Sequence, residues 1–272
     1  MKTGEDKPRA GKGNGAGARA APEAPAATSK AAPSRLVALG ASAGGLEALE
    51  RFFKALPDDT GWAFIVAQHL SPDFKSMMAE LLGRYTRLPI VPVTEDQPLQ
   101  ADTVYVLTPG RTMAVDGQTL RAEARVEHAA NLPINKLFES LSDWGTRAAA
   151  IVLSGTGSDG TAGAATLRDA GGLVVAQSAD SSKFSAMPRS VVETGSAHVV
   201  LDPQDMPGAL LSWAADPGSI THLARAPADD DRSALTPYAR ILALLKSTYD
   251  IDFEHYRQGT IIRRIERRLN TG

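Results

Sequence analysis

From Arg35 onward, short apolar runs alternate with stretches whose apolar residues recur every three or four positions, the pattern of strands alternating with helices. Leu36–Leu39 reads as a strand, Gly40–Gly45 as a glycine-rich turn and Leu46–Ala55 as a helix. Trp62–Gln68 is a second strand, ending at His69-Leu70-Ser71-Pro72, and Ser76–Tyr85 a second helix. Ile90–Val93 and Thr103–Leu107 read as short strands. Thr112–Val115 and Gln118–Ala122 form a hairpin around Asp116-Gly117, a dipeptide suited to the positive φ angles of a tight turn. A helix is predicted over Ile134–Trp144 and an apolar strand over Ala148–Leu153. A second glycine-rich turn, Ser154–Gly160, leads into a helix over Thr161–Ala170 and a strand over Leu173–Ala176. Helices at Pro188–Thr194 and Met206–Trp213 flank a strand at Ala197–Leu201. The alternation predicts an α/β fold: a three-layer αβα, doubly wound, mainly parallel sheet with a small β-hairpin. A short all-α segment follows, with helices at Ala239–Thr248 and Ile261–Leu269.

Two flanking segments break the pattern. Residues 1–34 hold ten Ala, five Gly and four Pro with no Leu, Ile, Val or aromatic residue, and read as a disordered tail. Residues 215–235, with Pro217, Pro227 and the acidic run Asp229–Asp231, read as a linker. The expected domains are therefore 35–214 and 236–272. In the latter, Arg263, Arg264, Arg267 and Arg268 crowd one helical face, either as a solvated surface or as a dock for an acidic partner.

Composition narrows the function. With 43% hydrophobic and 22% charged residues among 272, a substantial core is available. Twenty-nine basic against thirty-one acidic side chains give a net charge of −2, which argues against nucleic acid as a general partner. The absence of cysteine removes thiolate chemistry, disulfides and thiolate metal sites from this chain. No apolar run approaches a membrane span or signal peptide, so the expectation is a cytoplasmic protein without membrane insertion. His69, His128, His198, His222 and His255 form no metal-ligand spacing, and no G-x-x-x-x-G-K-[ST] loop is present.

Gly40-Ala41-Ser42-Ala43-Gly44 matches the G-x-S-x-G nucleophile turn and sits between a strand and a helix, where that turn must sit. Ser42 reads equally as a helix N-cap on this evidence. His69 ends the next strand, and parallel neighbours share a carboxyl edge, so Ser42 and His69 can converge. Asp159, in the turn after Ala148–Leu153, reaches the same edge. It can orient one imidazole nitrogen so that the other takes the serine proton; alternatively it is a first-turn helix acid. Two rivals remain. Gly155–Gly160 fits G-x-G-x-x-G with Asp180 about 20 residues beyond, as in a dinucleotide-binding domain, although Asp159 would repel a pyrophosphate. The order Ser42, Asp159, His198 is that of α/β-hydrolases, although His198 starts its strand and would lie at the opposite edge.

Leu39–Gly45, Gln68–Pro72, Leu153–Gly160 and Met187-Pro188-Arg189-Ser190 together resemble the catalytic domain of the chemotaxis protein-glutamate methylesterases, the CheB family, over roughly residues 35–214. The resemblance implies Ser42 as nucleophile, His69 as base, Asp159 as orienting acid, and oxyanion donation by the backbone N–H of Thr156 and of the turn at Ala43. It implies hydrolysis of γ-glutamyl methyl esters on chemoreceptors or related sensory proteins, with glutamine deamidation in some members and no cofactor. Ala43 stands where the family usually has Thr, and Thr156 where it usually has Met. The 34 residues before the domain are too few for a phospho-receiver domain, so regulation through one in this chain is not expected. Tyr249–Phe253 through Leu269 resembles the start of a CheR-type methyltransferase, as in CheB/CheR fusions, but without an S-adenosylmethionine-binding sheet, so methyl transfer is not expected. A non-catalytic module that binds sensory-signalling partners is the alternative of a different class.

Overall fold

A computed structural model describes residue 1 and residues 31–69, 77–125 and 132–220 of the chain. Residues 2–30 of the expected tail, most of the linker, the C-terminal helices and the Leu70–Pro72 stretch after His69 lie outside the described residues. The last four residues of the expected tail belong instead to the ordered domain, where Ser34 N–H donates to Gly61 O at 2.9 Å and Ala31 O accepts from Ala101 N–H at 2.8 Å.

Seven strands form one parallel sheet: β1 (Leu36–Ala41), β2 (Ala63–Gln68), β3 (Ile90–Val93), β5 (Thr103–Leu107), β8 (Ala148–Val152), β9 (Leu173–Gln177) and β10 (Val199–Leu201). Their order is β10-β9-β8-β1-β2-β5-β3. The chain first builds outward from β1 on one side, then returns to β8 on the other. The switch in direction therefore lies at β1, where sheets of this kind open a crevice beyond the strand carboxyl ends. β1 is buried at every position and accordingly reads as continuous apolar sequence, because helices cover both faces.

Alternate β1 residues feed two cores. Val37, Leu39 and Ala41 pack beneath α1 (Gly45–Ala55), α2 (Met78–Leu82) and α6 (Met206–Ala215). Leu36 and Ala38 face α3 (Pro133–Ser140), α4 (Thr161–Asp169) and α5 (Ala186–Glu193). In α1, Gly45, Ala48, Leu49, Phe52 and Phe53 are buried at helical spacing. Phe52 and Phe53 meet Phe64 edge to face at 6.4 and 6.2 Å, and each buried ring is worth about 1.5–3 kcal/mol of removal from water.

Two expectations need adjustment. The hairpin, β6 (Arg111–Asp116) with β7 (Thr119–Ala124), gains a two-residue third strand, β4 (Gln97–Pro98). The predicted Ile134–Trp144 helix stops at Ser140 and continues as a 3-10 segment, Ser142–Arg147, in which Gly145 takes φ 50°. Leu141 and Trp144 remain buried after the break, so the apolar periodicity runs through a change of helix type that it cannot signal.

Candidate active site

Three strands deliver Ser42, His69 and Asp159 to one edge, and backbone bonds carry the sheet's order past the first two strand ends. Past the end of β1, the Ser42 N–H donates to Ser154 O at 3.0 Å; past the end of β2, the His69 N–H donates to Ala41 O at 3.3 Å. The serine and histidine backbones are therefore held by continuations of the β1–β8 and β1–β2 pairings. Gly44 then adopts φ 71°, which a residue without Cβ reaches readily, and α1 starts at Gly45.

The side chains meet. His69 Nδ1 lies 3.3 Å from Ser42 Oγ, and His69 Nε2 lies 2.8 Å from Asp159 Oδ2. Asp159 is 3% exposed while the imidazole is 34% exposed, so the charged end is shielded and the serine end opens to solvent. Because the carboxylate only accepts, the network assigns the imidazole proton to Nε2 and leaves the Nδ1 lone pair facing the hydroxyl.

The competing structural roles are filled by other residues. Gly44, rather than Ser42, is the N-cap of α1. Asp159 does not cap α4, whose N-cap is Gly160. Its carboxylate instead accepts from the start of α3: Ile134 N–H donates to Oδ2 at 3.0 Å and Asn135 N–H to Oδ1 at 2.9 Å. Those donors hold the carboxylate in place from the α3 side.

The turn after β8 is organised by Ser154, which is fully buried. Its N–H donates to Gln177 Oε1 at 2.7 Å, its Oγ donates to Ala43 O at 2.9 Å, and Phe184 N–H donates to that Oγ at 3.0 Å. The N–H groups of Ala43 and Thr156 have no acceptor among the described residues, and Thr156 is exposed. One of these donors adjoins Ser42 in the chain and the other follows Gly155, on which a Cβ would lie 2.8 Å from Ser42 Cβ, while the Ser42 N–H itself is occupied. Gln68 Nε2 approaches Ser42 O at 3.4 Å, and Gln68 Oε1 is buried without a partner among the described residues.

The rival readings meet a different geometry. A Cβ on Gly155 would lie 2.1 Å from Met187 Sδ, and one on Gly160 would lie 2.9 Å from Ile134 Cγ2, so both glycines accommodate packed side chains. A pyrophosphate would find this loop filled and the buried Asp159 carboxylate beside it. His198 sits at the amino end of β10, where Val174 N–H donates to its Nδ1 at 3.0 Å. Burial, and then the Arg168 guanidinium, push its pKa below the ordinary imidazole value. No group of three or more His, Asp or Glu among the described residues could hold a metal ion. No helix among them is long and apolar enough to cross a membrane.

Asn135, Ser154 and Gln177 escaped the reading of the sequence. A faint signal existed for Ser154 alone, which ends an apolar strand inside a glycine-rich turn.

A family model described as CheB methylesterase matches residues 37–210. A protein-glutamate methylesterase/protein-glutamine glutaminase of Symbiobacterium thermophilum is 35% identical over 172 residues, covering 62% of this chain and 48% of that protein. A second, from Pseudomonas aeruginosa, is 33% identical over 215 residues, covering 75% of this chain and 61% of that protein. An uncharacterised 104.1 kDa protein of Rhodobacter capsulatus is 35% identical over 215 residues, of which this chain spans 22%. The chain thus covers less than two thirds of each of these relatives. Among solved structures, the CheB methylesterase catalytic domain of Thermotoga maritima superposes with a TM-score of 0.61 at 24% identity, over 66% of this chain and 98% of that one, a likeness of fold.

Proposed function

For a chain that belongs to the CheB methylesterase family, we propose serine-hydrolase action on γ-glutamyl methyl esters of chemoreceptors or related sensory proteins, with Ser42, His69 and Asp159 as the reacting centre. The observation that carries this reading is the unbroken hydrogen-bond chain from Asp159 through His69 to Ser42.

Ser42 Oγ attacks the ester carbonyl as its proton passes to His69 Nδ1. The Nε2–H bond to Asp159 stabilises the imidazolium that forms. The carbonyl oxygen, now an anion, takes the N–H groups of Ala43 and Thr156. Collapse breaks the bond to the methoxy oxygen, the proton on Nδ1 leaves with methanol, and an acyl-serine remains. Water then gives a proton to the same nitrogen and attacks the acyl carbon, releasing a glutamate carboxylate and restoring Ser42. A glutamine amide would follow the same path with ammonia as leaving group. Loss of a Thr hydroxyl at Ala43 leaves this scheme intact, since it uses the backbone N–H there.

Intact-mass analysis after exposure to a fluorophosphonate tests the reading. Wild type gains one adduct, Ser42→Ala gains none, His69→Ala reacts about 10²–10⁴-fold more slowly, and His198→Ala matches wild type. Methanol release from a methylated receptor then tests the substrate. An inert wild-type serine would favour the binding-module alternative, and a dead His198→Ala beside an active His69→Ala would reverse the assignment of the base.

A further inference from the structure

Asn135 is the third residue of α3, after Pro133 and Ile134, and is 8% exposed. Its backbone N–H donates to Asp159 Oδ1 at 2.9 Å. Its side-chain Oδ1 accepts from Gly160 N–H at 2.9 Å and Gly163 N–H at 3.0 Å. Those two donors belong to the start of α4, whose N-cap glycine has no side chain with which to satisfy them.

The two helix starts therefore exchange acceptors. Asp159, just before α4, takes the open N–H groups of α3, and Asn135, in α3, takes those of α4. Four bonds span the gap, all of them in buried surroundings. Together they fix both the separation of the two segments and the rotation of the Asp159 side chain. With that rotation set, Oδ2 lies within reach of the Ile134 N–H and of His69 Nε2 at once.

We propose that Asn135 is a positioning residue of the esterase centre: its carboxamide oxygen locks the start of α4 against α3 and thereby aims the Asp159 carboxylate at His69. The inference rests on the reading of Ser42, His69 and Asp159 as the reacting group. The amide nitrogen of Asn135 donates to no described residue, so the role belongs to the oxygen, and an aspartate can supply the same acceptor.

The test is the concentration dependence of fluorophosphonate labelling at Ser42 in the full chain. Asn135→Ala lowers the limiting labelling rate about 10- to 100-fold, as expected for a misaimed catalytic group. The half-saturating probe concentration stays unchanged, because the probe contacts the serine turn and not α3. Asn135→Asp recovers the rate to within about threefold of wild type. Asn135→Gln keeps the amide but moves its oxygen by one methylene, and it labels more slowly than wild type, which preserves the test if the alanine variant does not fold. Leu210→Ala, a core change in α6, reports what general destabilisation does and labels like wild type. Labelling of folded Asn135→Ala or Asn135→Gln at the wild-type rate overturns the proposal. So does a loss that Asn135→Asp fails to recover, or one that Leu210→Ala shares. An unlabelled wild type is a distinct result, which removes the reading of Ser42 and the positioning role with it.

Discussion

Asp159 satisfies two demands with one carboxylate, and the demands fall on different lone pairs. Oδ1 serves the backbone of α3, while Oδ2 serves both that backbone and His69. An amide at this position cannot do the same. In Asp159→Asn the remaining oxygen can accept from one α3 N–H, but the NH₂ group then faces the Ile134 N–H and the imidazole, donor against donor. The imidazole escapes by moving its proton to Nδ1, which turns an N–H toward Ser42 Oγ and removes the base. Asp159→Asn should therefore reduce ester hydrolysis by about 10⁴ and destabilise the fold by about 1–3 kcal/mol through the unmatched N–H. Hydrolysis of p-nitrophenyl acetate and urea unfolding measure the two effects separately. A loss of less than tenfold would show that Asp159 supports the helix and not the histidine.

At the scale of elements, the site depends on how closely α3 crosses α4. Gly163 marks the crossing, since a Cβ there would lie 2.5 Å from Asn135 O and 2.8 Å from Phe138 Cβ. Alanine gains about 1 kcal/mol of helix propensity over glycine, but separating two packed helices costs about 1–3 kcal/mol, and the second term should win. Gly163→Ala is thus expected to lower the urea midpoint and slow Ser42 labelling together; a stabilised, fully reactive variant would mean that the crossing relaxes freely. The same crossing explains what could be read in the sequence. The convergence of Ser42, His69 and Asp159 was legible because each follows an apolar strand, and parallel strands share a carboxyl edge. Asn135 was not, because its side-chain bonds reach 25 and 28 residues along the chain, and one Asn inside a helical pattern carries no signal of an acceptor role. The β4 strand was too short for any periodicity. The break after Ser140 was hidden because Leu141 and Trp144 continue the apolar spacing through a helix of different pitch.

Across the whole molecule, the two ends of the parallel sheet hold histidines in opposite circumstances. At the carboxyl edge His69 faces the Asp159 carboxylate and the Ser42 hydroxyl. At the amino edge His198 is half-buried, accepts the Val174 N–H through Nδ1, and stands near the Arg168 guanidinium. Burial first, and the arginine second, hold its folded-state pKa below the ordinary value of 6.5. The unfolded chain consequently binds a proton that the folded chain refuses as pH falls below that value, so unfolding is favoured progressively until the folded pKa is reached. This window is separate from that of Asp202, whose pKa is lowered chiefly by the Ser178 hydroxyl. The stability from that carboxylate is present above its ordinary 3.8 and disappears as pH falls through its lower folded value. His198→Asn keeps an acceptor for the Val174 N–H while removing the titration. Urea midpoints measured between pH 7 and about 5 at fixed ionic strength should fall more steeply for wild type than for His198→Asn, while both label equally well at Ser42. Parallel midpoint curves would place the acid sensitivity of this fold elsewhere than the amino edge, and unequal labelling would mean that the two edges of the sheet are coupled.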